Sequence, residues 1–96
     1  MYLFELMPSE IEYRILLALK EGGRMYGLQF VSRGVKRGTV YVTLGRMERQ
    51  GLVVSERVYS TTPGPPLRYY SLTDKGRKVL EVVEQAEDQL RTLFAD

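Results

Sequence analysis

The hydrophobic period of the chain changes at Gly51, and no other feature limits the possible folds so strongly. Before Gly51, apolar residues recur at the spacing of an amphipathic helix, at Val40, Leu44 and Met47. After Gly51, β-branched residues dominate, and the apolar side of an alternating pattern falls at Leu52, Val54 and Val58. We therefore predict a helix over about residues 37–50, ended by Gly51 as a left-handed cap, with a strand directly after it.

Two shorter helices are predicted upstream of this one. Ser9 and Glu12 have the spacing of a capping box, so the first helix should begin near Glu10, and the glycine pair at 22–23 should end it. The apolar residues of a short second helix follow, at Tyr26, Phe30 and Val31. Gly34 then supplies the turn, so the order of elements is typical of a helix-turn-helix.

Turn residues downstream of the first strand predict a hairpin. The segment STTPGPP, residues 60–66, reads as an exposed turn, and LRYYSL, residues 67–72, can return as a second strand. Tyr69 and Tyr70 alternate faces, so one of the two should be in the core. Thr73 should then cap a long helix.

The fold class that follows is mainly α with a small β-hairpin, in which a winged helix-turn-helix precedes a long C-terminal helix. We expect a winged-helix core over residues 1–73, with its third helix at about 37–50 and its wing at about 52–72. The long helix over residues 74–96 should belong to the same compact domain.

The composition excludes several classes of protein. The 96 residues include neither Cys nor His, which removes disulfides, thiol chemistry, histidine bases and the usual transition-metal ligands. We therefore expect no enzymatic activity, no metal and no cofactor. No apolar run approaches the roughly 18 residues of a membrane span. Glu5 lies where a signal peptide would carry cations, so we expect a cytoplasmic protein without a membrane partner.

The third helix has an unusual outward face. Helical spacing places Gly38, Val42, Gly45 and Arg49 there, flanked by Thr39 and Arg46. Lys36 and Arg37 stand at the start of the helix, where the dipole favours anions, and Gly45 costs roughly 1 kcal/mol relative to Ala. A phosphate partner and a groove wall would explain both features, whereas a solvated basic face is the alternative.

Positive and negative residues are concentrated in different parts of the chain, although the net charge is only +2. Residues 33–57 contain six cations and two acids, whereas residues 81–96 contain five acids and one cation. One part of the molecule therefore suits a polyanion and the other avoids it.

Four segments together resemble the PadR family of bacterial and archaeal transcriptional regulators, in its short form with one C-terminal helix. The segments are ILLALKEGGRMYGLQF, VKRGTVYVTLGRMERQGLV, PGPPLRYYSLTDKGRKVL and the single long helix after them. They resemble the first two helices, the recognition helix, the wing and its exit, and the dimerisation helix of that family. Val42 is one departure, because family members often have proline there.

The resemblance implies a homodimeric repressor that places one recognition helix per subunit in the major groove of a two-fold operator in double-stranded DNA. It also implies that short-form members can hold a small aromatic effector at the dimer interface, where Phe4, Met7 and Phe94 could line a space in this chain. The tryptophan that usually supports such a ligand is absent, so a plain hydrophobic dimer core is the alternative.

The outward face and the wing give the expected DNA-binding residues, which are Lys36, Arg37, Gly38, Thr39, Tyr41, Val42, Arg46, Arg49 and Arg68. Thr39 and Val42 suit base or thymine-methyl contacts. Arg46 and Arg49 suit guanine edges or phosphates, and Lys36 and Arg37 suit phosphates. Thr39 and Tyr41 could instead serve as cap and packing residues. Arg68 could instead pair with Glu56 across the hairpin.

The long helix carries a heptad seam, which predicts dimerisation. The expected dimer residues are Tyr2, Phe4, Val79, Val83, Ala86, Leu90, Leu93 and Phe94. Packing of the seam on its own domain is the alternative, although Leu80 and Val82 offer other apolar surface for that purpose. Two further functions stay open at this point, a non-specific architectural DNA-binding protein and a winged-helix module for protein contacts.

Overall fold

The computed structural model of the protein describes residues 7–59, 61 and 63–95. Its elements in chain order are helix α1 (Glu10–Gly22), strand β1 (Met25–Tyr26), helix α2 (Gly27–Val31), helix α3 (Arg37–Arg49), strand β2 (Val53–Val58), strand β3 (Leu67–Leu72) and helix α4 (Asp74–Phe94). The mainly α fold with a winged helix-turn-helix and a long last helix is confirmed.

The helix ends follow the predicted capping chemistry. The Ser9 hydroxyl accepts from the Glu12 N–H at 3.2 Å, and the Glu12 carboxylate accepts from the Ser9 N–H at 3.0 Å, which completes the capping box of α1. The Thr73 hydroxyl accepts from the Gly76 N–H at 3.0 Å at the start of α4. Gly51 has φ 79, the left-handed conformation that ends α3.

The sheet has three antiparallel strands in the order β1-β3-β2, where only a two-stranded hairpin was predicted. Met25 and Tyr26 pair with Tyr70 and Tyr69 of the central strand. The prediction placed Tyr26 in the second helix, but Tyr26 is extended and precedes the first residue of α2. A strand of two residues has no period of its own, and only its long-range partner defines it.

The predicted apolar side of β2 is wrong by one residue. Val53 is 2% exposed and faces the core, whereas Val54 is 52% exposed. Leu52 is buried but precedes the strand, because its N–H still donates to the Met47 carbonyl at 2.9 Å in the turn that closes α3. The strict alternation therefore starts at Val53 and not at Leu52.

The core lies between the helices and one face of the sheet. Its fully buried large side chains are Ile15, Leu16, Phe30, Val40, Leu44, Met47 and Leu80. Leu80 anchors α4 in this core, as expected, but Val82 is 62% exposed and does not serve its own domain. None of the helices within the described residues has the length and apolar composition needed to cross a membrane.

Candidate nucleic-acid interface

The start of α3 is positive and is not compensated by the chain itself. Lys36 is the N-cap residue with extended backbone, its side chain has no acceptor for the free N–H groups of the helix, and the first turn contains no acid. Lys36 and Arg37 are exposed and form no ion pair within residues 7–59, 61 and 63–95. The positive end of the helix dipole and two cations therefore face solvent together.

The outward face of α3 matches the prediction from helical spacing. Val42 is 68% exposed, and Gly38 and Arg49 are also exposed. Arg46 lies at the margin of this face, where its guanidinium is 3.9 Å from the Glu12 carboxylate of α1. That distance and the 45% exposure of the Arg46 side chain make the pair a weak one. Arg46 therefore keeps most of its donors for another partner.

Two glycines of α3 have no internal reason to be glycine. A Cβ placed on Gly38 would meet nothing within 4 Å, and one placed on Gly45 would meet only the Arg49 guanidinium at 3.6 Å, an ordinary contact. Alanine would fit at both positions and would favour the helix more. Because Gly45 has no side chain, another molecule can approach the backbone of α3 closely at this position.

Tyr41 packs against the start of α2. A Cβ on the buried Gly27 would lie 2.5 Å from the ring and hydroxyl of Tyr41, so only glycine allows this contact. The side chain is still 56% exposed, so packing holds one side of the ring and leaves the rest on the surface. The Thr39 hydroxyl donates to the Lys36 carbonyl at 3.1 Å, which places it in the capping turn. Tyr41 thus shows the packing role that was the alternative for it, whereas Thr39 does not cap the helix, because the N-cap is Lys36 and no side chain of the described residues accepts from the first N–H groups.

The wing does not pair Arg68 with Glu56. The register places Arg57 opposite Arg68, and Glu56 opposite Tyr69. Glu56 instead forms an ion pair with Arg24, which lies over the Tyr69 ring at 4.6 Å from its centroid. Arg57 was missed as a candidate from the sequence, because its position opposite Arg68 depends on the hairpin register and not on any local pattern.

Tyr70 is the buried member of the tyrosine pair, as expected for alternating faces. Burial raises the pKa of its hydroxyl, and the nearby Glu48 carboxylate raises it further. Tyr69 is half-buried on the other face of the sheet and packs edge to face against Tyr26, with ring centroids 5.4 Å apart. The two rings therefore fix the central strand from both sides.

Helix α4 packs one side on α1 and exposes an apolar strip on another. The Lys20 ammonium lies 3.1 Å from the Glu84 carboxylate, and the Tyr13 hydroxyl donates to Glu87 at 3.2 Å. Partial burial, and then the bond to Glu87, raise the pKa of Tyr13.

The predicted dimer residues lie along that strip, at Val79, Val83 and Ala86, which are half-buried, and at Leu90, Leu93 and Phe94, which are 54%, 77% and 84% exposed. Val79 also packs against the core of its own domain, so the alternative of internal packing holds for the first position of the seam. Tyr2 and Phe4 lie outside the described residues.

Comparisons with known proteins agree with this geometry. Residues 15–82 match the family described as transcriptional regulator PadR-like. A PadR family transcription regulator from Clostridium difficile is 27% identical, with a TM-score of 0.78 over 88% of this chain and 94% of that chain. A PadR-like transcription factor from Bacteroides fragilis is 32% identical, with a TM-score of 0.78 over 86% and 84%.

More distantly, Bacillus subtilis PadR in complex with operator DNA is 22% identical and shares the fold, with a TM-score of 0.68 over 75% of this chain and 45% of that chain. Among curated proteins, none matches significantly. The matched family consists of transcriptional regulators, which confirms the expectation that the protein is not an enzyme. This chain belongs to the PadR-like family of transcriptional regulators.

Proposed function

We propose that the protein is a sequence-specific regulator that binds double-stranded DNA as a homodimer and represses transcription. The observation that carries the proposal is the outward face of α3, residues 36–49. That face combines exposed cations, of which Arg46 has only a weak ion pair with Glu12, an uncompensated helix start and a glycine without an internal role.

The start of α3 suits a phosphate. Backbone N–H groups at a helix N-terminus and the positive end of the dipole attract anions, and Lys36 and Arg37 add two full charges at that point. Contacts of this kind set the register of a protein on a duplex but carry no sequence information.

The middle of the outward face suits base edges. Arg46 and Arg49 can donate two parallel hydrogen bonds to a guanine, and the exposed Val42 methyls suit the thymine methyl group. Gly45 lies one turn before Arg49 on the same face, and its lack of a side chain lets the helix backbone approach the groove wall. Thr39, Gly38 and Tyr41 would lie along the upstream margin of the same contact.

The DNA-bound state of Bacillus subtilis PadR supports the proposal through the shared fold. We propose that, in a complex of this chain with DNA, α3 enters the major groove and the hairpin of β2 and β3 lies against the adjacent backbone. We therefore propose that the winged-helix core, residues 1–73, supplies the DNA contacts, and that the long helix, residues 74–96, supplies the dimer contacts together with Tyr2 and Phe4.

Dimerisation is proposed from the exposed strip of α4. Leu90, Leu93 and Phe94 expose apolar surface in one direction while Glu84 and Glu87 of the same helix contact α1. A second copy crossing at this strip would cover it and would place two α3 helices on one side of the dimer. Two-fold symmetry in the protein then requires two half-sites in the DNA.

A small aromatic effector at the dimer interface is a subordinate part of the proposal. Phe94 and Met7 are exposed and could contribute to such a space, whereas Phe4 lies outside the described residues. An effector would act by binding one relative placement of the two α3 helices more tightly than another.

A fluorescence-anisotropy titration tests the main proposal. The DNA upstream of the gene that encodes the protein and a shuffled duplex of the same length would be titrated at two salt concentrations. We expect the native fragment to bind roughly 10³-fold more tightly, with affinity that falls as salt rises. The bound fragment, placed in a transcription template, should then give less transcript as protein is added.

Equal, salt-dependent binding to both duplexes would instead support an architectural protein. Absence of binding to either duplex, at both salt concentrations, would contradict the proposal and favour a module for protein contacts.

A further inference from the structure

Helix α3 contains a single acidic residue, Glu48, and its carboxylate is engaged with strand β2. One oxygen of this carboxylate accepts from the Ser55 backbone N–H at 3.2 Å and from the Ser55 hydroxyl at 2.6 Å. An acid on a DNA-binding helix repels phosphates, so its presence there needs a separate reason. Its two bonds to one residue of the wing supply that reason.

The hydroxyl of Ser55 connects Glu48 to an arginine. A serine hydroxyl has one proton, and at 2.6 Å this proton is donated to Glu48. The oxygen then acts as an acceptor, and the Arg68 guanidinium donates to it at 2.9 Å. Glu48 therefore orients Ser55, and Ser55 orients Arg68. A guanidinium has five N–H donors, so most of those of Arg68 stay available to another partner.

Arg68 lies directly opposite Arg57 in the antiparallel register. Residues opposite each other share one face of the sheet, and like charges in this position repel. This is the face of Ser55 and the buried Tyr70, so it is the face toward α3. Neither arginine forms an ion pair with an acid in the part of the chain that the structure describes. An anion between the two guanidiniums would replace repulsion by attraction.

We propose that Arg57 and Arg68 form a phosphate-binding pair on the wing, and that Glu48 and Ser55 are positioning residues that hold Arg68 in place for it. This inference rests on the proposed function, and it adds an explanation of how the Arg68 side chain of the wing is held in place. The hydrogen bonds that run from Glu48 through Ser55 to Arg68 connect α3 to the wing. The helix proposed to enter the groove therefore also orients the arginine of the wing.

The test compares Ser55→Ala, Arg68→Ala and the double variant on a series of bound duplexes that are shortened stepwise from each end. Ser71→Ala is the matched control, because Ser71 is a half-buried serine on the opposite face of the sheet. Melting temperatures of all variants are measured first to show that they fold.

On the longest duplex we expect Arg68→Ala to bind about tenfold more weakly and to reduce the salt slope by about 0.9, the value for one phosphate. Ser55→Ala removes no charge, but it should also bind DNA more weakly and show a smaller salt slope. The double variant should resemble Arg68→Ala alone. On the shortest duplexes all four variants should bind as tightly as the parent protein, because the wing has no phosphate to reach.

Glu48→Gln provides a second reading. It keeps an acceptor oxygen for Ser55, so it should bind within about twofold of the parent protein, whereas Glu48→Leu should resemble Ser55→Ala. If Ser55→Ala and the control Ser71→Ala have equal affinity for every duplex, Ser55 does not position Arg68. Losses that multiply in the double variant would overturn it as well. A parent protein that binds no duplex would instead refute the proposed function on which this inference depends.

Discussion

Helices α3 and α4 both present an exposed face, but the two faces differ in chemistry. The face of α3 carries Arg46, Arg49 and a glycine, and the face of α4 carries Leu90 and Leu93. The face of α3 is positively charged and suits an anionic partner, whereas the face of α4 is apolar and suits an apolar partner. In the proposed function, the domain meets DNA through α3 and a second copy of itself through α4.

The glycines of the two helices sharpen this contrast. Gly45 of α3 has free space around it, whereas a Cβ on Gly76 of α4 would lie 2.1 Å from the Leu52 carbonyl oxygen. Near Gly76, Thr73 donates to the Gly51 carbonyl at 2.6 Å and Lys75 donates to the Gln50 carbonyl at 2.7 Å. The turn after α3 and the start of α4 are therefore in direct contact and are joined by hydrogen bonds.

The largest effect is expected for Gly76→Ala. The added methyl group collides with backbone that is held by hydrogen bonds on both sides, so it cannot be relieved by a side-chain rotation. Stability should fall by roughly 3 kcal/mol, as for severe overpacking, and urea unfolding would measure it. Gly38→Ala is the control and should leave the midpoint unchanged or raise it. An unchanged midpoint in Gly76→Ala would show that the contact between α3 and α4 is not tight.

The next largest effect is expected for Leu90→Glu on dimerisation. The parent protein should be a dimer at micromolar concentration, and a charge at the centre of the apolar strip should give a monomer mass by light scattering. Gln85→Glu adds the same charge to an exposed position on another side of α4 and should stay dimeric. A parent protein with a monomer mass would remove the case for two-fold DNA binding.

A smaller effect is expected for Lys36→Ala. Removal of one phosphate contact should weaken binding similarly for native and shuffled duplexes and should lower the salt slope by about 0.9. Lys78→Ala, which removes an exposed cation from α4, should leave both quantities unchanged. A change of sequence preference in Lys36→Ala would place this residue on a base edge instead of on phosphate.

The smallest effect is expected for Gly45→Ala, and it has opposite signs in two measurements. Helix propensity should raise the stability by up to about 1 kcal/mol, because the new methyl group meets only the Arg49 side chain. The same methyl group should reduce DNA affinity by hindering the approach of α3. Higher stability with unchanged affinity would mean that the groove wall does not come close to Gly45.

Local chemistry made much of the fold predictable. The capping box of Ser9 and Glu12, the cap at Thr73 and the left-handed Gly51 are all signals within four residues, and all three are confirmed. Strand β1 and the register of the hairpin depend on residues far apart in the chain, so no local period reveals them. The one-residue error at Val53 and Val54 arose because Leu52 still belongs to the turn after α3.

The candidate interface, like the fold, was predictable only in part from the sequence. Helical spacing placed Val42 and Arg49 on the outward face, where the structure has them. The contacts of Glu48 and Arg57 were not visible in the sequence, because Glu48 meets Ser55 of β2 and Arg57 lies opposite Arg68 only in the folded chain. Gly27 and Gly76 likewise resemble ordinary glycines in sequence, and only their close neighbours in space explain them.

The affinity of the double variant Arg46→Ala and Arg49→Ala for the native DNA fragment tests the central claim most directly. Arg77→Ala, an exposed arginine on α4, serves as the control, and melting temperatures are recorded for all three proteins. Because good arginine contacts to bases contribute about 1–3 kcal/mol each, we expect a loss of at least tenfold in affinity for the double variant, with a melting temperature close to that of the parent protein. An unchanged affinity would contradict the assignment of the α3 face to DNA.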